Sequence, residues 1–129
     1  MINKYLLDTV GNTPLIKANH LIQNPNVTLL LKLEGHNPGG SVKDRAAKNM
    51  ILSAMQRGEI RSGDTIVEAT SGNTGIALAL IANLAGVHMK IVMPENATVE
   101  RVKTMRAYGA EVILTSADNG IEGARDLAE

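Results

Sequence analysis

The chain has no cysteine, no tryptophan and no phenylalanine, and only two tyrosines among its 129 residues. Without cysteine it can form neither a disulfide nor a thiolate metal site. Without Phe and Trp its core must be built from Leu, Ile, Val, Ala and Met. Net charge is also missing, since thirteen basic residues balance thirteen acidic ones, and no Lys/Arg-rich run or aromatic-basic interleaving offers a face to nucleic acid. No apolar run approaches the ~20 residues that span a bilayer. No amino-terminal stretch combines a basic start, an apolar run and a cleavage site. The expectation is a cytosolic protein with no nucleic-acid and no membrane partner. His20, His36 and His88 are dispersed, without a spacing such as His-x3-His, so no metal is expected and the three read as surface or turn residues. The length suits one ordinary domain with a real core, though not obviously a complete enzyme.

What is present is an alternation, from Thr28 onward, of short apolar strands with amphipathic helices, the pattern of a parallel sheet covered by helices. Four such units are expected. Their strands are drawn at Thr28–Glu34, Thr65–Ala69, Met89–Met93 and Glu111–Leu114, and their helices at Val42–Arg57, Asn73–Ala85, Thr98–Tyr108 and from Ile121 onward. Gly58, Gly86 and Gly109 each stand where a helix ends and a left-handed residue is wanted. Val99, Val102 and Met105 recur at helical spacing against a charged opposite face, so that helix should cover the sheet from outside. Asn73–Ala85 is apolar nearly all round, which predicts a buried helix that needs more protein to cover it. The last helix carries no Gly or Pro stop and is expected to continue beyond Glu129. No repeat, low-complexity tract or linker interrupts the chain.

Two clusters carry chemistry. In Gly39-Gly40-Ser41-Val42-Lys43-Asp44-Arg45, Ser41 reads as an N-cap and Asp44 as its capping-box partner, which puts Lys43 at the second helical position. Backbone N–H groups at a helix start disfavour an ammonium and favour the neutral amine that condenses with an aldehyde. Taken alone, Lys43 reads as an ordinary solvated lysine after a glycine turn, and it is the company it keeps that overturns this. In Thr70-Ser71-Gly72-Asn73-Thr74-Gly75, hydroxyls, an amide and free backbone N–H groups converge on a helix start, an anion site suited to a carboxylate or phosphate. The plainer alternative is that Ser71 or Asn73 caps the helix while the glycines make the turn. Both clusters follow expected strands, and open α/β sheets bind ligands along that edge, so the two can face one pocket. Nucleotide motifs fail: Gly35 and Gly40 have Walker A spacing but are followed by Ser41-Val42, and Gly72-Asn73-Thr74-Gly75 lacks the opening Gly-x-Gly of a dinucleotide fingerprint. No Gly-x-Ser-x-Gly elbow occurs.

At these residues the chain resembles the amino-terminal part of the cysteine synthases, fold-type II enzymes dependent on pyridoxal phosphate. The matching blocks are Gly11-Asn12-Thr13-Pro14-Leu15, Leu31-Lys32-Leu33-Glu34-Gly35, Asn37-Pro38 with the lysine cluster, Glu68-Ala69 with the threonine-rich loop, and Met105-Arg106-Ala107-Tyr108-Gly109-Ala110. Gly40–Arg45 and the ending Glu122–Ala128 resemble the B isoform, O-acetylserine sulfhydrylase B, while cystathionine β-synthase shares Gly-Gly-Ser-Val-Lys-Asp-Arg. The resemblance implies an α/β fold with a three-layer open, mostly parallel sheet and helices on both faces. It implies that Lys43 is the residue that joins the cofactor covalently and serves as the catalytic base. Asn73 would hydrogen-bond the cofactor's ring hydroxyl, and Thr70, Ser71, Gly72, Asn73 and Thr74 would hold the substrate carboxylate.

The implied reaction replaces the acetoxy group of O-acetylserine with sulfur from sulfide or thiosulfate, a donor these residues leave open. The resemblance further implies a homodimer when full length, with 86–128 as a mobile lobe. The family's larger carboxyl-terminal portion, which supplies a glycine-rich loop for the cofactor phosphate, is not within the 129 residues. The chain alone is therefore expected to bind the cofactor weakly and to turn over little. A cystathionine β-synthase-like or serine/threonine dehydratase-like enzyme, and a cofactor-free module binding a partner's carboxylate tail, stand as alternatives.

Overall fold

A computed structural model describes residues 5–129. Two sheets organise it. Strands β1 (Leu15–Lys17) and β2 (Leu30–Lys32) form an antiparallel pair, while β3 (Thr65–Ala69), β4 (His88–Pro94) and β5 (Glu111–Thr115) form a parallel sheet in the order β3-β4-β5. Helices α1 (Lys43–Gln56), α2 (Asn73–Ala85), α3 (Val99–Ala107) and α4 (Gly120–Ala128) follow β2, β3, β4 and β5 in turn. Short 3-10 turns stand at Leu6–Thr9, Glu34–His36 and Ala117–Asn119.

The expected alternation is present, with one correction. The strand expected at Thr28–Glu34 is shorter and lies outside the parallel sheet. Its partner is β1, in register from Leu15 opposite Lys32 to Lys17 opposite Leu30. The reason lies in the connection: no helix intervenes between Lys17 and Leu30, and a parallel pairing needs a long crossover that is usually a helix. The parallel sheet therefore has three strands rather than four among the described residues.

Alternation along β4 separates the two faces of this sheet. Met89, Ile91 and Met93 point into one core with Ala77, Leu78 and Ile81 of α2 and Met105 of α3. Val92 faces the other way and is buried outside that cluster, as is Ala124 of α4. Helices thus cover both faces, the arrangement a buried parallel strand demands. Gly86 closes α2 in the left-handed conformation (φ 73°), and Gly58 and Gly109 also have positive φ, as expected for residues following a helix.

Helix α2 is apolar nearly all round, and Gly75 and Ala77–Ala82 are buried. Part of its covering layer comes from α1, whose Ala47 and Ile51 join the α2 residues in the core cluster, while Leu84 at its far end stays 39% exposed. On α3 only Met105 is buried, whereas Val99 is 60% exposed, so the apolar stripe read from its spacing is one turn shorter than expected.

Ile81 is fully buried at the centre of this core. Replacing it with alanine is expected to cost about 2–5 kcal/mol, the range for emptying a packed aliphatic site. Val99→Ala, by contrast, should change stability by less than about 0.5 kcal/mol. Urea unfolding of the two variants checks this, and equal losses would contradict the layering described.

Candidate active site

Lys43 stands in the first turn of α1. Val42 before it already has helical dihedral angles (φ −60°, ψ −19°), and Ser41 Oγ accepts the backbone N–H of Lys43 at 3.1 Å. Ser41 therefore caps the helix as its sequence position suggests. Asp44 corrects the other half of the expected capping box. Its Oδ2 accepts the N–H of Gly39 at 2.5 Å rather than that of Ser41. Gly39 makes this possible, because a Cβ there would lie 2.5 Å from Asp44 Oδ1; the missing side chain is the space the carboxylate fills. Asp44 is wholly buried, and its Oδ1 has no hydrogen-bond partner. Burial pushes its carboxyl above the usual carboxylate range, with the Gly39 N–H acting in the opposite direction. The side chain of Lys43 is exposed, and no ion pair among the described residues engages it.

A second polar cluster, to which periodicity gave no clue, grips the segment leading to Lys43. The Glu34 carboxylate accepts Arg45 Nε at 2.9 Å and Nη2 at 3.0 Å, Thr13 Oγ1 at 2.8 Å and Asn37 Nδ2 at 2.8 Å. Arg45 Nη2 also donates to Thr13 Oγ1 at 3.1 Å, and Asn37 Oδ1 accepts the N–H of Gly11 at 2.8 Å. The Arg45 guanidinium, with Thr13 and Asn37, holds the Glu34 carboxyl at about 2, and Glu34 in turn raises Arg45. These residues lie inside the blocks that carry the family resemblance. The only sequence signal for them is membership of those blocks, because an acid and a base eleven positions apart across a turn follow no period.

At the other cluster the loop Thr70–Gly72 leads from β3 into α2. Thr70 N–H donates to Val92 O at 3.1 Å, extending the β3–β4 ladder by one residue. The N-cap position is Gly72, and no side chain caps the helix. The plainer alternative, in which Ser71 or Asn73 caps the helix, is therefore not seen. Helices α3 and α4 likewise have no side-chain cap. Thr70, Ser71, Gly72 and Thr74 are half-buried and Asn73 is exposed. Arg101 of α3 brings a guanidinium to this loop, with Nη1 donating to Ser71 O at 3.4 Å. Gly75 keeps the first turn close to its neighbours: a Cβ there would lie 2.8 Å from Met105 Cε and 2.9 Å from Thr70 Cγ2.

The argument that both clusters share one sheet edge holds for Thr70–Thr74 but not for Lys43, since β2 is not part of the parallel sheet. What joins them is the packing of α1 on α2. Ala47, one turn beyond Lys43, and Ala77, one turn beyond Asn73, belong to the same core cluster. Cavities of about 240, 270, 280 and 190 Å³ lie elsewhere, and none is lined by Lys43 or by Thr70–Thr74. His20, His36 and His88 fall in a turn, in the Glu34–His36 turn and at the start of β4, and no group of three His, Cys, Asp or Glu side chains gathers among the described residues.

The family profile described as "Pyridoxal-phosphate dependent enzyme" matches residues 6–129. The chain is 58% identical over 124 residues to the cysteine synthase B of Pseudomonas syringae pv. syringae, covering 96% of this chain and 73% of that protein. Against the cysteine synthase B of Escherichia coli K12 it is 58% identical over 123 residues, covering 95% of this chain but 41% of that protein. The crystal structure of an O-ureido-L-serine synthase superposes with a TM-score of 0.93 at 41% identity, covering 99% of this chain and 40% of that one. The chain thus spans about two fifths of the length of the latter two relatives.

The pH dependence of stability should expose the Glu34 cluster. Because the folded carboxyl lies at about 2 against an ordinary 4.5, its contribution is fully present above pH 4.5 and is lost as the pH falls towards 2. Asp44 acts with the opposite sign, since its raised carboxyl costs stability when ionised and the cost disappears on acidification. Comparing the wild type with Glu34→Gln isolates the first effect. The stability difference between them should shrink between pH 4.5 and about 2. A difference independent of pH in urea titrations would contradict the assignment.

Proposed function

The chain belongs to the pyridoxal-phosphate-dependent enzyme family, and from that premise we propose that it is the lysine-bearing, amino-terminal part of an enzyme making cysteine from O-acetylserine and a sulfur donor. The observation that carries the reading is the exposed Lys43 at the start of α1, which packs through Ala47 on the helix whose start gathers Thr70, Ser71, Asn73 and Thr74. Similarity to cysteine synthase B supports the choice of reaction.

The residues fit pyridoxal phosphate. Among the described residues Lys43 offers an amine outside any ion pair, and a Cβ at Gly40 or Gly72 would meet no atom within 4 Å, so the ground beside both clusters is open. Lys43 would hold the cofactor by its aldehyde, and Asn73 would face its ring hydroxyl. The cofactor, when bound, supplies an electron sink for negative charge at the substrate Cα. Thr70, Ser71, Gly72, Asn73 and Thr74 would hold the amino-acid carboxylate through their N–H and hydroxyl groups, at the positive end of α2. The Lys43 amine, once free, is the base that removes the α-proton. Acetate then leaves from Cβ with its bonding electron pair, and sulfur takes its place.

Residues 86–128 would form a lobe that closes over the substrate, and Arg101 of that lobe hydrogen-bonds the carboxylate loop at Ser71 O. The complete protein is assigned as a cytoplasmic homodimer. A second reading, β-replacement with a nucleophile other than sulfur, draws on the likeness to an O-ureido-L-serine synthase.

Borohydride reduction of the full protein with pyridoxal phosphate, followed by peptide mapping, should place the label on Lys43. Lys43→Ala should lose the label and about 10²–10⁴-fold in kcat, the contribution of a positioned general base. A label on another residue would overturn the assignment. Assaying O-acetylserine with sulfide, thiosulfate and hydroxyurea decides the nucleophile.

A further inference from the structure

Lys43 lies on a segment held at several points, and most of those points involve one carboxylate. Residues 34–45 begin at Glu34 and end at Arg45, and these two side chains bond each other through two N–H donors. Between them Asn37 Nδ2 donates to both the carbonyl and the carboxylate of Glu34, each at 2.8 Å. Gly39 is tied separately to Asp44. The same carboxylate reaches outside the segment to Thr13, and through Asn37 the tie extends to Gly11. Gly11 has φ 89°, and a Cβ there would lie 2.9 Å from Arg45 Nη1, so the backbone runs against the guanidinium with no side chain between them.

We propose that Glu34 is a positioning residue for Lys43, clasping the loop and the first turn of α1 so that the amine is presented in one fixed place. Two physical points separate this from an ordinary surface ion pair. First, positions two apart on a helix do not face each other; Arg45 therefore lets the clasp grip α1 from a side other than that of the Lys43 amine, and its negative charge is committed to Arg45. Second, although the pair itself is partly exposed, with side-chain exposures of 40% for Arg45 and 22% for Glu34, the same carboxylate also accepts Thr13 and Asn37, so that removing it releases three side chains at once rather than one. Arg57 and Glu59 form an equally bidentate pair, at 2.6 and 2.7 Å, but it is local, joins no third residue and lies at the far end of α1.

This inference rests on the reading of Lys43 as the cofactor-bearing base, and its test distinguishes the two. Glu34→Gln, Glu34→Ala, Arg45→Lys and the control Glu59→Gln are made in the full protein purified with pyridoxal phosphate. Each is measured for thermal midpoint, for borohydride label at Lys43, and for kcat and KM with O-acetylserine. The Glu34 and Arg45 variants should lose about 10- to 100-fold in kcat, the scale set by misplacing a reacting group by about 1 Å. They should also show a lowered label yield and an unchanged KM, because the carboxylate loop is untouched, while Glu59→Gln matches the wild type. If Glu34→Ala fails to fold, Glu34→Gln and Arg45→Lys carry the comparison. Wild-type kcat and label yield in folded Glu34→Gln would overturn the proposal, as would a fall in thermal midpoint with both values unchanged. An unlabelled wild type would instead overturn the reading of Lys43 itself.

Discussion

The Glu34 carboxylate joins parts of the chain that the hydrophobic core does not. Its bonds reach Thr13 at the start of the small antiparallel sheet, Asn37 in the connecting segment and Arg45 in the first turn of α1. On α1 the core cluster begins at Ala47, with Leu7 and Val10 packed against it from the amino-terminal segment, whereas the stretch from Glu34 to Arg45 is tied mainly by polar contacts. An ion pair of this exposure is worth little as isolated Coulomb attraction. What it supplies is direction, since a carboxylate engaged by a guanidinium fork accepts in fixed orientations. The depressed Glu34 carboxyl is the electrostatic record of that convergence.

The elements that packing dictates were legible in the sequence. Strand β3 and helix α2 fall on Thr65–Ala69 and Asn73–Ala85, the bounds their apolar patterns predict. Both sit against β4, whose residues Met89–Met93 are buried on both faces except for half-buried Lys90. Where burial is that complete, hydrophobic pattern and structure have one solution. Strand β2 is different. With Leu30 and Lys32 exposed and Leu31 half-buried, it carries too little apolar surface to specify its partner, and the helix-free connection from β1 decided the pairing instead.

The polar side of the candidate site was legible in location but not in detail. Ser41 caps α1 as a local rule predicts, because cap and recipient are neighbours in the chain. Asp44 disobeys the same rule because a stronger demand acts on it: its carboxylate is wholly buried, and the N–H of Gly39 is the donor that burial makes available. The Glu34 cluster spans Gly11 to Arg45 and depends on two chain reversals that no local pattern encodes. Contacts of this kind become visible only when the fold brings distant blocks together.

The two helix starts are treated in opposite ways, and that contrast is the physical basis of the division of labour proposed for them. At α1 the free N–H of Lys43 is taken by Ser41 and the loop before it is pinned by Asp44 and Glu34, which makes a fixed platform for one amine. At α2 the N-cap is a glycine without a side chain, and no neighbouring hydroxyl or amide bends back to the free N–H groups, although Ser71, Asn73 and Thr74 flank them. The lack of a side-chain cap is shared with α3, which follows Thr98, and α4, which follows Asn119; what sets α2 apart is the gathering of Thr70, Ser71, Asn73 and Thr74 around its start. Here α2 can tolerate the loss, because Ala77–Ala82 are buried and their packing, rather than a cap, holds the helix. Stability drawn from the core of α2 is thus what leaves its first turn free to receive an anion, and the polar ties around α1 are what let the lysine meet it.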